Sequence, residues 1–186
     1  MKENLVMLYS GGADSRLMLE LAFETGKIPY CVLIDYGQAH IAELKFAEAQ
    51  LMNKNVNYQT VEIKDLNINS GLTGNKEQGT YKGVHSMHVP SRNLIFIGIA
   101  TAIAESLGID TIWYGADWSD YLNEFPDCKQ EWVGRMNKVL EINGSSKIKL
   151  EAPLVGLSKE NIIQILLKTF NVQKSDLFSG YGEITC

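Results

Sequence analysis

Six residues near the start, Ser10-Gly11-Gly12-Ala13-Asp14-Ser15, constrain this chain more than any other feature. They follow a short continuous apolar run, Leu5-Val6-Met7-Leu8-Tyr9, and precede Leu17, Met18, Leu21 and Ala22 at helical spacing. The pattern is strand, tight turn, helix. Backbone amides gathered at a helix amino terminus form an anion cradle that needs no net positive charge. Adjacent glycines let the backbone approach a phosphate, and Ser10 and Ser15 add hydroxyl donors. Asp14 does not bind phosphate directly at neutral pH, so it either holds a Mg²⁺ ion or fixes the loop amides. The simpler reading is a glycine-rich turn with Asp as a helix cap. The motif is neither G-x-x-x-x-G-K-[ST] nor G-x-G-x-x-G.

The same alternation continues along the chain. Gly26 and Pro29 stop the first helix before Tyr30-Cys31-Val32-Leu33-Ile34, a buried-type strand that closes at Asp35-Tyr36-Gly37. A charged amphipathic helix from 39 to about 52 leads to a less buried strand over 58–63. Residues 64–89 lose all periodicity and read as an active-site flap inserted between elements. An apolar helix over 93–107, a strand over 111–114, a helix from 126 to about 142 and a strand over 148–154 follow. Ser158 caps a last helix with a stripe of Ile162, Ile163, Leu166 and Leu167. The sum is an α/β protein of three layers, with a five-stranded, mainly parallel sheet. Ligands of such sheets lie beyond the carboxyl ends of the strands, where the winding direction reverses. The loops 10–15, 35–40, 116–129 and 155–159 all fall at such ends.

Composition sets the limits. At about 150 residues per domain, 186 residues allow one domain with a modest elaboration. With 45% hydrophobic residues and 4 prolines, the chain is able to bury a core. A net charge of -5, from 17 Lys+Arg against 22 Asp+Glu, lacks the footprint of a general nucleic-acid binder, and no nucleic-acid partner is expected. Three scattered cysteines, Cys31, Cys128 and Cys186, suit a reducing cytoplasm. No leader pattern opens the chain, and the best apolar stretch, 94–104, falls short of the roughly 20 residues a bilayer demands. The expectation is a cytoplasmic protein with no membrane partner.

The Ser-Gly-Gly-x-Asp-Ser turn resembles the PP-loop of ATP pyrophosphatases. Further segments are similar, in the same order, to those of the 7-cyano-7-deazaguanine synthase family. They are Ile34-Asp35-Tyr36-Gly37-Gln38-Ala39-His40, Val89-Pro90-Ser91-Arg92-Asn93, Asp120-Tyr121, Pro126-Asp127-Cys128-Lys129, Ala152-Pro153-Leu154 and Leu157-Ser158-Lys159. The resemblance runs from residue 5 to about 181. It implies a Rossmann-like, adenine nucleotide alpha hydrolase-like fold in one nucleotide-binding domain, 1–186, with the flap at about 64–89 and a short tail at about 171–186. It also implies an ATP-dependent ligase that adenylates 7-carboxy-7-deazaguanine and reacts it with ammonia, giving the amide and then the nitrile. Adenylation answers a physical need: a carboxylate would have to expel oxide, whereas an adenylate leaves as a stabilised anion. Catalysis is then largely positioning and charge neutralisation.

On this resemblance the amides of Gly11 and Gly12 and the hydroxyls of Ser10 and Ser15 hold the pyrophosphate half of ATP. Asp14 with Mg²⁺ manages its charge, and Lys159, across the switch point, reaches the same phosphates. Asp14, Ser15, Arg92 and Lys159 are the expected catalytic set. Asp35 binds ribose or metal, or is a plain strand-end cap. Arg92 and Asn93 open a helix from which a guanidinium can pair with the substrate carboxylate or an ATP phosphate, unless they are a surface Arg and a capping Asn. Asp120 and Asp127 are candidate partners for the N1-H and exocyclic amine of a guanine-like ring, Asp127 favoured. Tyr36, Trp118 and Tyr121 offer stacking surfaces, or are core.

The family commonly ends in four cysteines that hold a structural zinc ion. Here Gly180 stands where the first belongs, and no zinc site is expected. Cys128, Cys186, His85 and His88 are read as unligated. Ala39 stands where the family commonly has Arg, and Arg16 where a small residue is usual, either restoring charge near ATP or facing solvent. The departures leave three other outcomes open: a variant that stops at 7-amido-7-deazaguanine for DNA modification, a non-catalytic nucleotide-binding homologue, and a PP-loop enzyme acting on RNA, which the charge disfavours. Ammonia arrives free or from a separate donor protein, and a homodimer with tail-mediated contacts is the expected assembly.

Overall fold

A computed structural model describes residues 2–37, 41–63, 91–117, 125–145, 147–173 and 176–177. Strands β1 (Leu5–Leu8), β2 (Pro29–Asp35), β3 (Tyr58–Glu62), β4 (Thr111–Trp113) and β5 (Lys149–Glu151) form one sheet in the order β3-β2-β1-β4-β5. Every pairing is parallel, with Met7 opposite both Cys31 and Trp113. Helices α1 (Ala13–Glu24), α2 (Ile41–Asn53), α3 (Arg92–Leu107), α4 (Gln130–Ile142) and α5 (Lys159–Lys168) cover it.

The strands read as continuous apolar runs because both faces of the sheet are covered. The period-two alternation of side chains sorts those runs into two cores. Leu5, Met7, Cys31, Leu33 and Trp113 point to the layer containing Leu17 of α1, Leu51 of α2 and Ile162 of α5. Val6, Val32, Ile34, Ile112 and Leu150 point to the layer of Ile97 and Ala104 from α3 and Val133 and Leu140 from α4. The strand order places β1 beside β4 at the centre, with the chain wound outward on either side. The switch point therefore lies between the ends of these two strands.

Two elements differ from the sequence expectation by more than a residue at an end. The helix expected from 126 divides in two, because Lys129 is extended (φ -102°, ψ 139°) and separates a single 3₁₀ turn, Pro126–Cys128, from α4. The Lys129 carbonyl then accepts from the amides of Trp132 and Val133 and restarts the ladder. The fifth strand, expected over 148–154, covers only Lys149–Glu151. Pro153 has no amide to give a ladder, and the chain turns, with Val155 N donating to Ala152 O and Leu157 N to Leu154 O. The last helix is capped as its sequence requires: Ser158 Oγ accepts from Asn161 N, while Ile162 and Leu166 are buried. Among the described residues no helix is long and apolar enough to cross a membrane. The expected flap at 64–89 lies outside the described residues.

Leu33 is fully buried on β2, next to the central strand. Leu33→Ala is expected to cost about 2–5 kcal/mol through lost transfer energy and a residual cavity, read as a lower urea midpoint at unchanged m-value.

Candidate active site

The turn after β1 is held from below and from the side. Tyr9 N donates to Val32 O at 2.9 Å, which continues the pairing with β2 one residue past the strand. Gly11 then adopts φ +83°, and a Cβ there would lie 2.8 Å from the Cβ of Ala47 on α2. Only glycine allows both this backbone conformation and this approach. Gly12 is the N-cap of α1, in extended conformation and with no side chain to satisfy the first-turn amides. The two serine hydroxyls brace the turn. Ser15 Oγ donates to Gly12 O at 3.0 Å, Ser10 Oγ donates to Ser15 Oγ at 3.3 Å, and Gly12 N donates to Ser10 Oγ at 3.4 Å.

Behind the turn, the Tyr9 hydroxyl donates to Gln50 Oε1 at 2.6 Å, and Gln50 Nε2 donates to Asp176 O at 2.8 Å. Burial raises the Tyr9 phenol well above its ordinary pKa, so it remains a donor. This relay joins the end of β1, α2 and the tail of the chain.

In front of the turn, Asp14 meets Lys159, the first residue of α5. The ammonium donates to both Asp14 oxygens at 2.6 Å and lies 3.2 Å from Asp117 Oδ2. Asp117 follows β4 and is 1% exposed. Between them, Gly115 passes so close to α1 that a Cβ on it would touch the Asp14 Cβ at 3.5 Å. Three segments from both sides of the switch point thus share one cation. Burial pushes the Asp14 carboxyl above its ordinary value; Lys159 opposes this and Asp117 adds to it. For Lys159, desolvation acts to lower the ammonium, but the two carboxylates outweigh it and the net shift is upward.

A second group lies at the ends of β2 and β4. Asp35 Oδ1 accepts from Gly37 N at 3.0 Å, the strand-end turn anticipated as one of its roles. Arg92, at the start of α3, donates through Nη1 to the Tyr36 hydroxyl at 3.4 Å, and its guanidinium carbon lies 5.9 Å from the ring centroid. Phe96 supports that ring at 5.3 Å between centroids. Asn93 Nδ2 donates to Asp127 Oδ2 at 2.7 Å, while the Tyr114 hydroxyl donates to the Asp127 carbonyl at 2.7 Å and pins the 3₁₀ turn. Asn93 and Asp127, far apart in sequence, are thereby fixed to each other.

The structure therefore brings together Asp14 with Lys159, Arg92 with Tyr36, and Asn93 with Asp127. Asp120, Trp118, Tyr121, His85, His88, Cys186, Gly180 and Ala39 lie outside the described residues. Arg16 neither faces solvent nor points a free charge at the turn: it is 8% exposed and its Nε donates to Glu20 Oε1 at 2.8 Å. Lys54 of the α2–β3 connection meets the same oxygen at 2.9 Å. Asp117 is the site residue that sequence reasoning missed. Its one signal is its place in the 116–129 loop at a strand's carboxyl end; nothing in its spacing links it to Lys159.

Comparison with known proteins gives a match over residues 4–185 to the family model described as queuosine biosynthesis protein QueC. Among curated proteins, the chain is similar to 7-cyano-7-deazaguanine synthase 1 of Colwellia psychrerythraea, 34% identical over 170 residues, 88% of this chain and 78% of that protein. It is likewise similar to the 7-cyano-7-deazaguanine synthase of Thermoplasma volcanium, 35% identical over 179 residues, 90% of this chain and 74% of that protein. Among solved structures, the U34-tRNA thiolase NcsA of Methanococcus maripaludis, with its [4Fe-4S] cluster, matches at TM-score 0.58 and 16% identity, covering 100% of this chain and 62% of that one. A predicted subunit of tRNA methyltransferase from Methanocaldococcus jannaschii matches at TM-score 0.58 and 15% identity, covering 96% and 93%. At such identities the two structures show a shared fold.

Lys159→Met removes the cation that Asp14 and Asp117 share. The folded state then holds a proton on Asp14 more tightly than the unfolded chain does, so the stability of the variant falls as pH rises. Because Lys159 and Asp14 are partly open to solvent, the loss relative to wild type is expected to be on the order of 1–2 kcal/mol at about pH 7 and to shrink towards about pH 4. Urea denaturation at the two pH values measures it.

Proposed function

The chain belongs to the QueC family of queuosine biosynthesis proteins, and from that membership we propose that it is a cytoplasmic, ATP-dependent ligase that converts 7-carboxy-7-deazaguanine and ammonia into 7-cyano-7-deazaguanine. The observation that carries this reading is the braced turn at the carboxyl end of β1, with the Lys159 ammonium standing over Asp14 at its mouth.

In this reading the amides of Gly11 and Gly12, the Ser10 and Ser15 hydroxyls and Lys159 receive the outer phosphates of ATP. A carboxylate oxygen of the substrate attacks the α-phosphorus, and pyrophosphate leaves. The nitrogen of ammonia then attacks the acyl carbon, AMP departs with the former carboxylate oxygen, and the amide remains after proton loss. A second ATP activates the amide oxygen in the same way; loss of AMP and protons leaves the nitrile. Arg92 is placed to pair with the substrate carboxylate, and the Tyr36 ring supplies a flat apolar surface. Asp127, oriented by Asn93, is placed to accept from the N1-H and exocyclic amine of the deazaguanine.

Mg²⁺ fits this donor set. The Asp14 carboxylate already holds a cation with both oxygens, and oxygen donors together with phosphates are what Mg²⁺ takes. When bound, it supplies neutralisation of the charge that gathers on the departing pyrophosphate.

With ATP, Mg²⁺, ammonia and 7-carboxy-7-deazaguanine, mass spectrometry is expected to show the nitrile together with AMP and pyrophosphate. Substrate labelled with ¹⁸O in its carboxylate is expected to yield labelled AMP. An amide end product would mean that the second activation is lost, and the absence of both products would leave a nucleotide-binding protein without ligase activity. Asp14→Ala is expected to lower pyrophosphate release by at least about a hundredfold while the circular dichroism spectrum is unchanged. Unaltered release would remove Asp14 from the mechanism.

A further inference from the structure

Lys159 faces two carboxylates rather than one, and their surroundings differ. Asp14 lies in the first turn of α1 with its side chain 28% exposed, whereas the Asp117 side chain is 1% exposed. Asp14 takes the ammonium with both oxygens at 2.6 Å, and Asp117 holds it with one at 3.2 Å. A lysine paired with Asp14 alone would have to give up its sole carboxylate partner in order to turn towards a phosphate. One also anchored by a buried carboxylate keeps a fixed partner as it turns. Lysine side chains carry substantial rotamer entropy, so an anchor that confines the ammonium before the ligand arrives lowers what binding costs.

We propose that Asp117 is a positioning residue: it holds the Lys159 ammonium at the mouth of the phosphate turn, so that the lysine is presented to the nucleotide's outer phosphates already ordered. The inference rests on the nucleotide-binding reading above and adds a residue that acts through Lys159 rather than on the ligand. Asp117 belongs to the segment leaving β4, on the far side of the switch point from the turn, so the lysine's position is tied to both halves of the sheet.

The proposal predicts a sign that a simple charge effect does not. A carboxylate acting only through its charge repels a triphosphate, so its removal tightens binding. A carboxylate acting through Lys159 does the reverse. The experiment is calorimetric binding of α,β-methylene-ATP, whose α–β linkage resists cleavage, in the presence of Mg²⁺. Asp117→Ala is expected to weaken binding about tenfold, as is Lys159→Ala, and the double variant is expected to be no weaker than about tenfold, because both changes remove one interaction. Asp117→Asn keeps an oxygen acceptor for the ammonium and removes the charge, so its affinity is expected to equal or exceed that of wild type. This variant also serves if the alanine protein does not fold.

Tighter or unchanged binding by Asp117→Ala, a double variant weakened about a hundredfold, or an Asp117→Asn protein weakened as much as the alanine variant would each overturn the role of Asp117 while leaving the nucleotide reading in place. A wild-type protein that binds no analogue overturns the nucleotide reading, and this inference with it.

Discussion

A lysine ammonium held between two carboxylates joins the parts of this molecule that the sheet alone leaves separate. Asp14 belongs to the helix after β1, Asp117 to the segment leaving β4, and Lys159 to the start of α5. β1 and β4 are neighbours in the sheet, but the chains leaving their carboxyl ends run to opposite faces. The ion cluster links the two segments where they part. Its electrostatics oppose its burial: two negative charges around one positive charge, in partial isolation from water, tolerate the addition of a cation more readily than that of a bare anion.

The second half of the site is built differently. Around Arg92, Tyr36, Asn93 and Asp127 the contacts are hydrogen bonds and a cation–π approach, in which flat groups are held by neighbours that fix their orientation. Phe96 packs on Tyr36, and the Tyr114 hydroxyl holds the main chain at Asp127. Such a surface is built from oriented side chains, whereas the turn after β1 is built from the first backbone amides of α1.

Much of this was legible in the residues. The apolar runs of β1 and β2, the helix carrying Leu17 and Met18, and the Ser158 cap are local signals, set by periodicity and capping chemistry, and the structure follows them. Boundaries were less legible where a single residue's conformation decides them: an extended Lys129 divides one expected helix, and Pro153 ends a strand early. In the site, Asp14 was readable because its neighbours form a motif. Asp117 stands in no motif, and its pairing with Lys159 arises only when β4 and β5 lie side by side. Arg16 shows the converse limit. Its position suggested a role beside the turn or a solvent-facing one, yet Glu20, one helical turn further on, draws its guanidinium away.

The relay from Tyr9 through Gln50 to the carbonyl of Asp176 has a consequence of its own. The strand that launches the glycine turn and the last described segment of the polypeptide are moored to a single amide group, and Leu177 sits among the same core side chains as Tyr9 and Leu51. Loosening that mooring leaves a buried glutamine donor without its acceptor, directly behind the glycine turn. Asp176 therefore acts as a tensioner on the glycine turn, although its bond is to α2 and not to the turn itself.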